Sequence, residues 1–436
     1  MNDAQRGILA GVDWSELCPW LLLFRSFRIA ASPLLILVAA VGGLLTPVGW
    51  RAAGNILPAD SALTKSAAEG ESASVAAAGD VARWPWELYE RYARPQAVDR
   101  SLVGFAAIMP GAVVRNWGRW YFDELSFRES MFLLCGNLWT LFVWGWCGAL
   151  ITRIAVVRLG RDERLGVRET LQFVGRRSVS YWLAPLFPQI AFLLAVGCGV
   201  AAGVVMRADI GAFLVALAWP LILVAALLCA IVFLGLALGW PFMWVAIGAE
   251  EDGDVFEATQ RAYSYSWDRP FHYGFYIVVT LVYGVFCWFL ATWFTHAVLH
   301  FGEWSVSWGA GWQRLHDLMQ AETGAAAVAR HLIEISRALV MCLAVGFAYS
   351  FFWVAYAAIY LLLRRDVDDH VPFDRVFVPD DGERYALPPI AVDEQGVVQM
   401  ADHDESDGAA PQEEPTDAAG PKASSEDSNH EENTDS

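Results

Sequence analysis

Few side chains in this 436-residue sequence have the type and spacing to do chemistry. His296 and His300 (HAVLH) lie four apart, with Glu303 beyond. That spacing puts two imidazoles on one helical face, which suits zinc. Position 297 is alanine, so the glutamate that a zinc hydrolase would use as base is missing. Polar residues at a membrane interface are the favoured reading. The run Glu250-Glu251-Asp252-Gly253-Asp254 offers oxygen ligands to a divalent cation. It lacks the ligand order and distal glutamate of a calcium loop and reads as a solvated elbow. Arg176 and Arg177 can hold anionic lipid headgroups, each contact worth about 1 kcal/mol near the surface. Asn137, Gln189 and Thr280 are the notable polar groups within apolar runs. No G-x-S-x-G, phosphate-cradling loop or Ser/His/Asp order is present. No catalytic, cofactor-binding or metal-binding residue is assigned, and an enzyme is disfavoured.

The elements that must position these groups are membrane spans. The chain is 56% hydrophobic and 14% aromatic, with 21 tryptophans, the composition of a polytopic membrane protein. The expected fold is an all-α helix bundle of about six spans, near 29–50, 131–150, 183–206, 213–238, 275–299 and 339–363. Residues 1–28 form an N-terminal interfacial segment, with a helix over 14–27 rather than a cleaved leader. Ile210–Gly248 carries no charge over 39 residues. As one helix it would reach about 58 Å against a core of about 30 Å. A break is therefore expected at Gly239-Trp240-Pro241, with the residues after it near the interface. In the span over 183–206, Ala191, Ala195, Gly199 and Gly203 make a seam where another helix can pack closely.

Seven arginines against three acids lie between Arg153 and Tyr181, which marks this connection as cytoplasmic. Six spans then place both termini inside. Two amphipathic elbow helices are expected on that side. In the first, Val167, Leu171, Val174, Ser178 and Tyr181 share the apolar face. In the second, Val255, Phe256, Thr259, Ala262, Tyr263 and Trp267 share it, and Glu257 pairs with Arg261. Outside, a long loop covers 51–130, low in complexity over 61–79 and interfacial or re-entrant over 101–115. Another, over 300–335, is rich in tryptophan. From Asp402 to Ser436 the chain carries −11 of its −18 net charge, so the tail over 379–436 is expected to be disordered. The remainder has no basic patch able to track a nucleic acid. Seven cysteines without a C-x-x-C pair read as buried thiols.

An internal repeat is visible as span, polar elbow, amphipathic helix and proline-containing next span, with Glu169-x-x-Gln172 aligned on Glu257-x-x-Gln260. Its two copies are GALITRIAVVRLGRDERLGVRETLQFVGRRSVSYWLAPLFP and GWPFMWVAIGAEEDGDVFEATQRAYSYSWDRPFHYGFY. These stretches resemble a family of uncharacterised bacterial multi-pass inner-membrane proteins, over roughly 12–50 and 130–370. More distantly they are similar to the membrane domain attached to some glycerophosphodiester phosphodiesterases. No phosphodiesterase catalytic domain is present, so the resemblance implies a fold and a bacterial cytoplasmic (inner) membrane location, and no reaction.

The function expected is structural or accessory, with lipid, a partner membrane protein or a second copy contacted through the elbows. The alternative is a transporter or channel for a neutral or amphiphilic solute, using Asn137 and Gln189. A metal-dependent membrane enzyme around His296 and His300 comes last.

Overall fold

The computed structural model describes residues 18–57, 78–92, 112–123, 125–368, 371–379, 390–392 and 398–400, and the chain divides into units 1–377 and 378–436. The second unit contains an antiparallel pair of strands, Ile390–Val392 with Val398–Met400, in a stretch expected to be unstructured. Most of the tail, the low-complexity stretch 61–77, and 101–111 of the expected interfacial segment lie outside the described residues.

The first unit is helical: α1 (Leu22–Ala30), α2 (Pro33–Ile56), α3 (Pro85–Tyr92), α4 (Ala112–Phe122), α5 (Phe127–Gly160), α6 (Val167–Arg176), α7 (Ser178–Val205), α8 (Asp209–Ala249), α9 (Val255–Asp268), α10 (Pro270–Ala310), α11 (Trp312–Met319) and α12 (Gly324–Val367). Among the described residues α2, α5, α7, α8, α10 and α12 are long and apolar enough to cross a membrane, one at each expected span.

Several boundaries differ from expectation. The first span starts at Pro33 rather than residue 29, because Ile29 and Ala30 end α1 and Pro33 restarts the helix where no N–H is needed. The second runs on to Gly160, so the first part of the arginine-rich connection is buried helix. Gly239-Trp240-Pro241 does not break α8, which is one helix of 41 residues. Pro241 removes only the donor for the Ala237 carbonyl. What changes there is the environment. Residues 241–249 are all buried in protein, whereas most of 209–238 faces outward. The stretch over 300–335 is not a loop: α10, α11 and α12 fill nearly all of it. At Gly199 and Gly203 the small-residue seam of α7 is open among the described residues, since a Cβ at either would meet no atom within 4 Å.

The core of the bundle is built by α2, α5 and α12. Two of these carry the same pattern, Gly-x3-Thr-x3-Trp: Gly42, Thr46 and Trp50 in α2, and Gly136, Thr140 and Trp144 in α5. Each tryptophan serves the other helix. Trp50 Nε1 donates to Thr140 Oγ1 at 2.9 Å, and Trp144 Nε1 donates to Thr46 Oγ1 at 3.0 Å. Each threonine hydroxyl donates in turn to its own helix, to Gly42 O at 2.8 Å and Gly136 O at 2.9 Å. The glycines make room: a Cβ at Gly136 would lie 2.4 Å from the Trp50 ring, and one at Gly42 3.2 Å from the Trp144 ring. The reciprocal pairs fix α2 and α5 as antiparallel neighbours. They also satisfy both indoles where lipid offers no partner.

Both elbows are present. Glu169 and Glu257 occupy the same place, third residue of α6 and of α9, as the repeat implies. Glu169 accepts from Gly166 N at 3.1 Å, and Asp254 caps α9 by accepting from Glu257 N at 2.6 Å. Of the expected apolar faces, Val174, Tyr181 and Ala262 are buried in protein, while Val167, Leu171, Phe256 and Trp267 are exposed. In α6 the buried residues are Thr170 and Val174, with Val167 and Leu171 exposed. In α9 they are Ala258, Ala262, Tyr265 and Ser266, with Phe256 and Trp267 exposed. The reason for α9 is that it packs on α8 rather than lying on a surface. A Cβ at Gly239 would come 2.9 Å from Ala262 O, and Tyr263 OH donates to Val232 O at 2.7 Å. Close approach of that kind selects small residues for the inner face.

Replacing Thr140 with valine leaves Trp50 Nε1 without its acceptor and should cost about 1 kcal/mol, the usual scale for one such bond. Gly136→Leu, which must displace the Trp50 ring, should cost more. Thermal unfolding in detergent reads both. Equal stability of Gly136→Leu and wild type would contradict the packing.

Candidate functional site

A helix leaves its last four carbonyls without helical donors and carries negative potential at that end. At the buried end of α8, Ala246 O accepts from Glu250 N at 3.0 Å, and the three carbonyls after it have donors from elsewhere. Arg177, between α6 and α7, donates to Ile247 O at 3.0 Å and Glu250 O at 2.8 Å, and also to Glu251 O. Arg153 of α5 is 1% exposed and donates to Gly248 O at 2.5 Å. Phe377 N donates to Ala249 O at 2.9 Å, while Phe377 O accepts from Arg153 at 2.7 Å. The Phe173 ring lies 4.0 Å from the Arg153 guanidinium and 4.5 Å from that of Arg177, within cation–π range of both. Gly253, at φ +48°, lets Arg177 pass: a Cβ there would overlap its guanidinium. Burial lowers the Arg177 pKa, offset in part by the neighbouring acids, and an arginine keeps its charge through such a shift. The arginines of the first repeat copy thus cap the helix of the second.

Beside this cap is a buried charge network. Glu250 Oε1 accepts from Tyr360 OH at 2.9 Å and lies 3.4 Å from Arg364 Nε and 3.6 Å from Arg261 Nη1. Arg261 also pairs with Glu257 at 2.9 Å and with Asp368 at 3.1 Å. Tyr265 OH donates to Asp368 at 2.6 Å. Burial and that carboxylate hold the Tyr265 phenol well above its usual range, so it remains a proton donor. The elbow α9 is therefore clasped to the end of α12.

The acidic run is accordingly only partly solvated. Glu250 is buried and paired, Glu251 and Asp252 are exposed, and Asp254 is a helix cap. Arg176 is exposed, whereas Arg177 is spent on carbonyls and is not free for lipid. Glu303 is held by Arg337 at 2.6 Å, and His296 is exposed with its ring 5.7 Å from that of Tyr89. Among the described residues no three His, Cys, Asp or Glu side chains gather as metal ligands. Thr280 is half-buried, and its hydroxyl has no hydrogen-bond partner among the described residues.

Asn137 and Gln189 do come together. They line a cavity of ≈ 70 Å³ between α5, α7 and α8, and Val113, Trp117 and Tyr121 of α4 close one side. Tyr121 wedges between the spans, its ring 4.6 Å from Phe192 and 5.4 Å from Phe233. Its hydroxyl donates to Gln189 Oε1 at 2.8 Å, and Gln189 Nε2 donates to Pro185 O at 3.1 Å. Trp240 and Trp244 of α8 also line it. Trp244 Nε1 donates 2.7 Å to Tyr181 O, the carbonyl that Pro185 leaves without a helical donor. Asn137 is 2% exposed and its Nδ2 has no hydrogen-bond partner among the described residues.

This geometry defines an all-α, multi-pass integral membrane protein with a charged, densely paired end and a separate aromatic cavity. No family model, curated protein or solved structure matches the chain. Sequence reasoning missed Arg153, Arg364 and Tyr121. The arginines border apolar runs and look like ordinary span ends, while Tyr121 belongs to a segment read as external loop.

Arg153→Met removes two donors and orphans the carbonyls of Gly248 and Phe377, at about 1–3 kcal/mol each. Arg176→Met at the surface should stay within about 0.5 kcal/mol. Thermal stability in one detergent compares them, and equal losses would contradict the cap.

Proposed function

We propose that the chain is a non-catalytic accessory protein of the bacterial cytoplasmic membrane, with both termini and the arginine end inside, related to the inner-membrane family it resembles. Its elbows contact lipid or a partner membrane protein, including a second copy. The observation that carries this reading is the outer surface of α6. Arg168 and Arg176 are exposed on it, as is Arg164 just before it, together with the exposed Val167 and Leu171. The inner side is held by Val174 and by Phe173 between two arginines. Cations beside apolar side chains on a fixed helix suit the headgroup layer of an anionic leaflet.

Replacing Arg164, Arg168 and Arg176 together with glutamine should lower the anionic lipid recovered with the purified protein, at about 1 kcal/mol per arginine. Unchanged recovery of lipid and of any co-purifying protein would remove the accessory reading. Protease added to inside-out vesicles should trim the acidic tail, and protection would reverse the orientation.

A second reading, a carrier of a neutral or amphiphilic solute, is favoured by one observation: Asn137 and Gln189 share a cavity. Flux of such a solute in reconstituted vesicles, lost on closing the cavity with Ala237→Phe, would support it. Absence of flux for every solute class would end it.

A further inference from the structure

A second group of arginines gathers where α1 meets the end of α5. On α1 and the turn before it, Leu21, Phe24, Arg25 and Arg28 are exposed and recur at i, i+3, i+4 and i+7, a single helical stripe. The stripe is apolar at its start and cationic at its end. Arg25 Nη2 donates to Asp162 Oδ1 at 3.0 Å, and Arg28 Nη2 lies 3.9 Å from the same oxygen. Arg158, one turn earlier in α5, is half-buried and lies in the field of Arg28, Arg164 and Asp162. Among the described residues neither Arg158 nor Arg164 forms an ion pair with a carboxylate. Arg161 and Glu163 answer each other at 3.5 Å. Four guanidiniums are thus left to share the one carboxylate of Asp162. Like charges held together repel, and an anion that enters among them relieves the repulsion.

We propose that this cluster binds the phosphate of a membrane lipid, and favours a phosphomonoester headgroup over a phosphodiester. Phosphate oxygens accept from several guanidiniums at once, which is the usual way clustered arginines are used. A monoester carries close to two negative charges near neutral pH and a diester one, so the monoester answers the excess of cations better. The site is open to a ligand, since the side chains of Arg25 and Arg28 are 46% and 84% exposed. Position supports a lipid as the source of the phosphate. α2 begins at Pro33, just beyond Arg28, and α5 ends at Gly160, just beyond Arg158, so the cluster stands at the border of two spans. Leu21 and Phe24 on the same stripe offer apolar surface to an acyl chain, which a soluble phosphate lacks. The site does not depend on the accessory reading, and the variants that test it leave Arg168 and Arg176 of α6 in place.

The test titrates the full-length protein in detergent with phosphatidic acid and, separately, with phosphatidylglycerol, and counts bound lipid by native mass spectrometry. Phosphatidic acid, the monoester, should bind more tightly. Arg28→Gln and Arg158→Gln should each weaken its binding about fivefold. Arg28 is exposed and its replacement leaves the fold intact, so it decides the matter should Arg158→Gln fail to fold. Asp162→Asn removes the carboxylate that competes for Arg25 and Arg28, and should tighten binding. Asp162 stands at φ +57°, a conformation that asparagine also adopts, so this variant should fold. Glycerol 3-phosphate, a soluble monoester without acyl chains, should displace little lipid at equal concentration. Equal affinity for the two lipids, unaltered affinity in Arg28→Gln, or weaker binding by Asp162→Asn would each overturn the proposal. Full displacement by glycerol 3-phosphate would assign the cluster to a soluble phosphate and overturn the lipid. Loss of lipid in Arg164, Arg168 and Arg176 replaced together, with Arg28→Gln unchanged, would keep the accessory reading and end this site.

Discussion

Hydrocarbon offers no hydrogen bonds, so every carbonyl at the buried end of α8 has to be answered from within the chain. That constraint organises one whole end of the molecule. Arg153 and Arg177 reach the carbonyls, Phe173 sits between their guanidiniums, and Phe377 closes the remaining position. Directly after the cap, Glu250 turns inward to Tyr360, Arg364 and Arg261. Removing one member of such a network leaves a buried charge or dipole without compensation, which costs far more than the intact pairing gains. The elbow α9 has its place because Arg261 and Tyr265 meet Asp368 there.

Much of this was legible in the sequence, and the losses have physical reasons. Six apolar runs became six helices because run length against bilayer thickness is a strong signal. The repeat also held at the level of position, with Glu169 and Glu257 each third in an elbow helix. The burial of Glu250 was not legible, because EEDGD reads as solvated wherever nothing shows what lies opposite. The face of α9 divides, with Ala262 and Tyr263 against the glycines of α8 and Phe256 and Trp267 exposed, because periodicity marks the apolar residues and not which of them meet protein. The Gly-x3-Thr-x3-Trp pattern of α2 and α5 was visible in the letters. It passed unread because each copy alone is an ordinary apolar stretch, and its meaning appears only when two antiparallel helices exchange tryptophans.

The two polar regions of the bundle differ in kind. At the arginine end Arg153, Arg177, Arg261 and Glu250 are each bound to more than one partner, as expected of a part that fixes geometry. The cavity at Asn137 is small, uncharged and walled by aromatics, with one amide donor left over. Tyr121 and Trp117 reach it from α4, which Asn116 ties to the Ala78 carbonyl at 3.2 Å. The cover of the cavity is thus attached to the far end of the bundle, away from the capped end. The contrast between arginines in the first repeat copy and acids in the second has a structural meaning. Arg153 and Arg177 answer the carbonyls of α8, and Glu250 turns to α12.

The central claim is that α9 and the end of α8 form one packed unit with α12, rather than a helix resting on the membrane surface. Amide hydrogen exchange in lipid nanodiscs tests this most directly. The account predicts that residues 256–266 exchange as slowly as 344–363 in wild type, and that Arg153→Met speeds the elbow while 344–363 stays protected. Elbow amides that exchange freely in the wild type while α12 remains protected would contradict it.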